Sequence, residues 1–200
     1  MNIARILYPV RVLGPGERIG IWVSGCNRRC FHCANPELWD KNTGHELSES
    51  ELFILLKKIF DGHSVFGVTI SGGEPFLQTK DLASLTDFLR QYTDDILIYT
   101  GYRIETLKKR KRLSYETTHI LQNAAVIIDG TYIEEKNFNH PLKGSDNQRI
   151  YYRDDKIREM YEEYINEHLG KNEIQNFTSR DGVIAVGIHP KEFASQFIYT

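Results

Sequence analysis

Two hundred residues suffice for one domain with a substantial buried core, and 40 % hydrophobic with 26 % charged residues is ordinary for a soluble globular protein. A formal net charge of −2 gives no global pull toward nucleic acid or an anionic membrane, and no apolar run approaches the ~20 residues of a membrane span. The expected partners are therefore neither nucleic acid nor membrane.

Met1-Asn2-Ile3-Ala4-Arg5 lacks the apolar region and cleavage site of a secretory signal. Arg5 to Val12 alternates loosely, predicting a short lead-in strand or an extended arm. Gly14-Pro15-Gly16 is a turn, because Pro fixes φ and the flanking glycines relax the backbone. Ile19-Gly20-Ile21-Trp22-Val23 reads as a buried strand ending at Ser24-Gly25.

All three cysteines follow within eight residues, as Cys26-Asn27-Arg28-Arg29-Cys30-Phe31-His32-Cys33. An odd, clustered set argues against a disulfide framework and for a reducing, cytoplasmic setting. Three thiolates this close can hold one inorganic centre. A four-iron cluster held by three cysteines keeps one iron open, whereas structural zinc closes four positions and would have to recruit His32, His45 or another histidine; three unrelated thiols are the remaining reading.

Pro36 stops any helix before it, so Asn35-Pro36-Glu37-Leu38-Trp39 reads as a turn with an aromatic plug. Ser48-Glu49-Ser50-Glu51 is a capping box opening a helix whose buried stripe is Leu52, Leu55, Leu56 and Ile59, ended by Gly62. Val65 to Ile70 predicts a strand running into Ser71-Gly72-Gly73-Glu74-Pro75. A helix from about Thr79 buries Leu82, Leu85 and Leu89. Ile96 to Tyr99 is the next strand, ending at Thr100-Gly101, followed by a short basic helix carrying the charge run Lys108 to Arg112, read as a solvated helix end. Ala125 to Ile128 is a fourth strand, ending at Asp129-Gly130. Gly144 to Asn147 turns into a fifth, Gln148 to Tyr152. Ile157, Met160, Tyr161, Tyr164 and Ile165 mark an amphipathic helix stopped by Gly170, residues 171–180 read as a polar loop, and Val183 to Ile188 as a sixth strand.

Alternating strands and helices imply right-handed βαβ units and a parallel sheet. The cluster loop, Gly72-Gly73-Glu74, Thr100 and Asp129 all fall at C-terminal strand ends, where parallel α/β folds place ligands. Two consecutive glycines there allow close approach of backbone to a ligand, so a side chain at Gly73 is expected to weaken ligand binding while sparing the metal centre.

The C-x3-C-x2-C pattern together with Gly72-Gly73-Glu74-Pro75 resembles the radical S-adenosylmethionine (SAM) superfamily. Gly14-Pro15-Gly16-Glu17-Arg18 and Trp22-Val23-Ser24-Gly25-Cys26 are similar to the opening of its glycyl-radical activating enzymes. Asn35 to Trp39 and Gly144 to Arg149 look like the anaerobic ribonucleotide reductase activating proteins among them. Leu13 stands where many of those enzymes carry Asp, and Tyr99 where some of them carry an acid.

The resemblance implies an α/β fold, a partial (β/α)6 barrel of parallel strands, in one domain over residues 1–200. Its core would span about 16–150, with 151–200 a C-terminal helix and short strand. It implies a [4Fe-4S] cluster on Cys26, Cys30 and Cys33, and SAM as second cofactor. Gly72, Gly73 and Glu74 would bind its methionine end, with His32 near the adenine. Thr100 and Asp129 would line the pocket, and Asn147 and Ser145 would be polar contacts to SAM or a bound substrate loop. The implied reaction is reductive cleavage of SAM and removal of a hydrogen from a glycine of anaerobic ribonucleotide reductase, with an electron donor such as flavodoxin or ferredoxin. A radical SAM enzyme of another substrate, such as the 7-carboxy-7-deazaguanine synthase type, and a non-catalytic zinc module remain as alternatives.

Overall fold

The computed structural model describes residues 1–109, 114–179 and 182–190. In chain order the strands are β1 (Asn2–Val10), β2 (Arg18–Val23), β3 (His45–Glu46), β4 (Gly67–Gly72), β5 (Ile96–Thr100), β6 (Val126–Asp129), β7 (Arg149–Tyr152), β8 (Ile174–Ser179) and β9 (Gly182–Gly187). The helices are α1 (Glu49–Gly62), α2 (Thr79–Leu89), α3 (Ile104–Lys109), α4 (Tyr115–Asn123) and α5 (Asp155–His168). The last three positions of the charge run, 110–112, lie outside the described residues.

Seven strands form one open sheet in the order β3-β1-β2-β4-β5-β6-β7. Its centre, β2-β4-β5-β6, is parallel; at one edge β1 runs antiparallel to β2 and β3 antiparallel to β1, and at the other β7 runs antiparallel to β6. The all-parallel arrangement expected from the sequence is therefore corrected to a mostly parallel mixed sheet. The cause at the β7 edge is the connection after β6, whose described helix is a single 3-10 turn, Glu134–Lys136. Without a long crossover helix to carry the chain back beneath the sheet, the next strand returns in the opposite direction.

One face of the sheet packs on α1, α2 and α4. Leu52, Leu56, Leu82, Leu85, Leu89 and Ile120 meet Ile19, Ile21, Ile70 and Ile98 there. Leu55, expected in the α1 stripe, is exposed, because the stripe narrows to Leu52 and Leu56. The capping box forms as anticipated: Ser48 Oγ accepts from Glu51 N–H, and Glu51 accepts from Ser48 N–H. The other face packs on α5, where Ile157, Tyr161 and Tyr164 cover Leu97, Val126 and Ile128.

The polar loop expected at residues 171–180 contains β8, and the expected sixth strand is β9. They pair only with each other, in an antiparallel hairpin outside the main sheet. Phe177, Ile184, Val186 and Ile188 bury against Val10, Val12, Leu13, Trp22 and Leu38. Gln175 clips the hairpin to the end of β1, donating to Pro9 O (2.7 Å) and accepting from Arg11 N–H (2.9 Å). The strand was hidden in the sequence because its inward residues alternate with polar ones and lack a continuous apolar run.

Arg18, from the Gly14-to-Arg18 motif, is fully buried at the N-terminal edge of the parallel strands. Its guanidinium meets Asp95 at both oxygens (2.7 and 3.2 Å), Thr69 Oγ1 (2.8 Å), and the carbonyls of Pro15 and Val68 (3.0 Å each). Tyr161 OH donates to Asp95 as well, at 2.7 Å. Burial alone would weaken the guanidinium's charge, but the Asp95 carboxylate outweighs it and holds the group charged.

Candidate functional site

At the opposite edge, where β2, β4, β5 and β6 end, the chain encloses a cavity of about 160 Å³. The cysteine loop leaves β2 and arches over it. Arg29 (φ 44°) and His32 (φ 52°) both take left-handed backbone, which folds the loop tightly between its cysteines. Cys26, Cys30 and Cys33 all line the cavity and none is in a disulfide. Backbone N–H groups point at the sulfurs: Arg28 N to Cys26 (3.4 Å), Asn35 N to Cys33 (3.5 Å), and the Tyr132 backbone to Cys30. Burial pushes the Cys33 thiol up to about 11, and raises that of Cys30.

The loop rests on the turn after β4. Gly73 N–H donates to Val23 O (2.7 Å) and Glu74 N–H to Gly25 O (2.9 Å). Gly72 has φ 104°, and a Cβ there would lie 2.4 Å from Val23 O. At Gly73 a Cβ would lie 2.3 Å from Gly25 O. The glycines are thus required by the close approach of two protein backbones. A side chain at Gly73 would strike Gly25, the residue that precedes Cys26, so its effect would reach the cysteine loop as well as the ligand side.

Glu74 lines the cavity but is almost wholly buried. Its Oε1 accepts from Phe76 N–H (3.0 Å) and Thr100 Oγ1 (2.8 Å), and its Oε2 from Gly101 N–H (2.8 Å). Burial raises its pKa, against the lowering effect of these three donors and of Arg28. Thr100, at the end of β5, also lines the cavity.

Three other expected residues stand off the cavity wall. Asp129 is fully buried, accepting from Arg103 (3.0 Å), Ile104 N–H (2.9 Å) and Arg149 (2.6 and 3.0 Å). Burial would raise its pKa, but Arg149, the Ile104 N–H and Arg103 together hold it below the ordinary value. His32 stacks on Phe31, with ring centroids 3.9 Å apart, and its Nδ1 lies 3.7 Å from Glu134. Asn147 turns its amide to Thr131 O (2.8 Å).

The Gly144-to-Arg149 run has a collective role that its residue types do not reveal singly. Ser145 Oγ accepts from Ile133 N–H, Asn147 donates to Thr131 O, Gln148 donates to Gly130 O, and Arg149 grips Asp129. Successive side chains thereby pin residues 133, 131, 130 and 129, closing the loop after β6 over the cavity.

Sequence reasoning gave no site role to Arg28, Trp39, Tyr132 or Gln148, which line the cavity. Arg28 lies with its guanidinium 5.1 Å from the centre of the Tyr102 ring and donates to Thr131 Oγ1 at 2.6 Å. Its position between the first two cysteines was the available signal.

Three cysteine sulfurs around one cavity, above a mostly parallel sheet, define a protein built for a single iron–sulfur cluster, and residues 12–151 match the family described as 4Fe-4S single cluster domain. The anaerobic ribonucleoside-triphosphate reductase-activating protein of Enterobacteria phage T4 is 30 % identical over 162 residues, covering 78 % of this chain and 97 % of that protein. Its counterpart in Haemophilus influenzae is 32 % identical over 154 residues, 72 % of this chain and 94 % of that one. The pyruvate formate-lyase-activating enzyme of Listeria monocytogenes is 46 % identical over 72 residues, 34 % of this chain and 29 % of that one. The chain belongs to the anaerobic ribonucleoside-triphosphate reductase-activating protein family. It is a radical SAM enzyme whose cofactors are a [4Fe-4S] cluster and SAM. Among the described residues, no helix is long and apolar enough to cross a membrane.

Proposed function

We propose that this protein activates anaerobic ribonucleotide reductase by forming a glycyl radical on it, with Cys26, Cys30 and Cys33 holding the cluster. The observation that carries the reading is the meeting of all three sulfurs with the Gly72-Gly73-Glu74 turn around one cavity. The donor chemistry suits an iron–sulfur group, because three cysteine sulfurs meet at one cavity and backbone N–H groups aim at them. A single zinc ion is less well served. Among the described residues no group of three or more His, Cys, Asp or Glu side chains is placed to hold one metal ion.

A cluster held by Cys26, Cys30 and Cys33 would supply the electron for reductive cleavage of SAM, and SAM the radical chemistry needed to remove a hydrogen from the partner's glycine. The chain's own residues bind and orient. Arg28 is the cation and Glu74 the anion among the cavity-lining side chains, a pair suited to the carboxylate and ammonium of SAM's methionine end. Gly72 and Gly73 bring backbone close to the ligand, and Thr100 holds the Glu74 carboxylate in place. His32, Asp129 and Asn147 position the walls. We read the mixed sheet as a trimmed partial barrel in one domain, whose open side admits a glycine loop from a large partner.

The test is an anaerobic mixture of the protein, a reductant such as reduced flavodoxin or ferredoxin, SAM and the reductase of the same organism. EPR should show a glycyl doublet that disappears when the reductase glycine is changed to Ala. Cleavage of SAM without a radical on the reductase would refute the substrate assignment and leave the superfamily intact.

A further inference from the structure

The turn Pro36–Trp39 is stitched to the base of the cysteine loop: Gly25 N–H donates to Leu38 O (2.9 Å) and Cys26 N–H to Trp39 O (3.0 Å). Leu38 is buried in the cluster that holds the C-terminal hairpin. Arg5 clamps the start of the turn through Asn35 Oδ1 (3.2 Å) and Glu37 Oε1 (2.5 Å). Trp39 is therefore fixed relative to Cys26 from both sides. Its ring lines the cavity, and its Nε1 is shut off from solvent without an acceptor at full hydrogen-bonding geometry. A buried N–H left in this state costs free energy unless something accepts from it.

We propose that the Trp39 indole N–H donates to a sulfur of the bound cluster, at Cys33 or the adjacent inorganic sulfide, and raises the cluster's reduction potential. The indole N–H lies next to the Cys33 sulfur, close enough to act on it. A donor aimed at sulfur stabilises the more negative, reduced cluster, and hydrogen bonds of this kind are among the determinants of its potential. Trp39 is thus a tuning residue: it touches the cluster's ligand shell and sets how readily the electron arrives. The inference rests on the proposal that the three cysteines hold the cluster.

The test uses the full chain with its cluster reconstituted anaerobically. With indole-15N tryptophan, the reduced cluster of the wild type should show a 15N hyperfine coupling. The coupling should disappear in Trp39→Phe and persist in Trp22→Phe, which removes the other tryptophan. In redox titration without SAM, Trp39→Phe should be harder to reduce. At the wild-type midpoint its ratio of reduced to oxidised cluster should fall by roughly two- to tenfold, the worth of one neutral hydrogen bond. Absence of the coupling in the wild type, or an unchanged potential in a Trp39→Phe protein with full iron content, would overturn the proposal. Should Trp39→Phe fail to assemble a cluster, the labelled wild type and Trp22→Phe decide alone. A wild type that holds no iron and sulfide would instead overturn the cluster reading on which this one stands.

Discussion

Gly73 and Gly25 meet backbone to backbone, so closely that a Cβ on Gly73 would lie 2.3 Å from the Gly25 carbonyl oxygen. The same carbonyl accepts from Glu74 N–H, so the turn after β4 is the floor on which the cysteine loop is laid. Gly73→Ala is expected to lower iron and sulfide content after anaerobic reconstitution, along with SAM binding. Gly62→Ala is the matched control, since a Cβ there meets nothing within 4 Å. Full iron content in Gly73→Ala would show that the loop can shift without losing its ligands.

Arg28 carries a prediction about SAM itself. Arg28→Ala should retain the cluster's absorption spectrum and weaken SAM binding by roughly 1.5–3 kcal/mol, the range for a hydrogen bond to a charged group. Binding is read from the change that SAM induces in the reduced cluster's EPR spectrum. Wild-type affinity in the variant would remove the guanidinium from the carboxylate's recognition.

The Arg18–Asp95 pair should behave as a structural element remote from the chemistry. Arg18→Met leaves the Asp95 charge buried with Tyr161 as its remaining described side-chain donor, and such an orphaned partner typically costs about 3–5 kcal/mol. Urea unfolding of the apoprotein measures this. Arg18→Met combined with Asp95→Leu should cost less than the sum of the single changes, because the orphaned charge is removed with its partner. Additive costs would mean that the two side chains do not act as a pair.

Asp129 gives a pH dependence whose sign follows from its depressed pKa. Its folded value lies below the ordinary 3.8, so the stability it contributes is fully present above that pH and is lost as pH falls through the folded value. Asp129→Asn should therefore cost roughly 1.5–3 kcal/mol at neutral pH. The gap from wild type should narrow as the solution is acidified from pH 3.8 downward through the folded value. A gap that stayed constant into strong acid would mean that the loss comes from packing and not from charge.

What the sequence determined by itself was local chemistry. The Cys26–Cys33 spacing, the Ser48–Glu51 capping box and the Gly72-Gly73-Glu74 turn are each written in a few consecutive residues, where chain geometry alone brings the partners together. Tertiary structure decided what depends on partners far apart. Arg18 finds Asp95 77 positions away, which makes part of the activase-like opening a structural support beneath the sheet. Asp129 finds Arg149, pairs across β6 and β7, and is turned away from the cavity that its strand-end position suggested. Trp39 is half-buried beside a sulfur because Gly25 and Cys26 hydrogen-bond its turn, a pairing that no periodicity announces. Side-chain identity sets what a residue can do, but which way it faces follows from sheet order, and sheet order is set by burial of whole faces and by connection length.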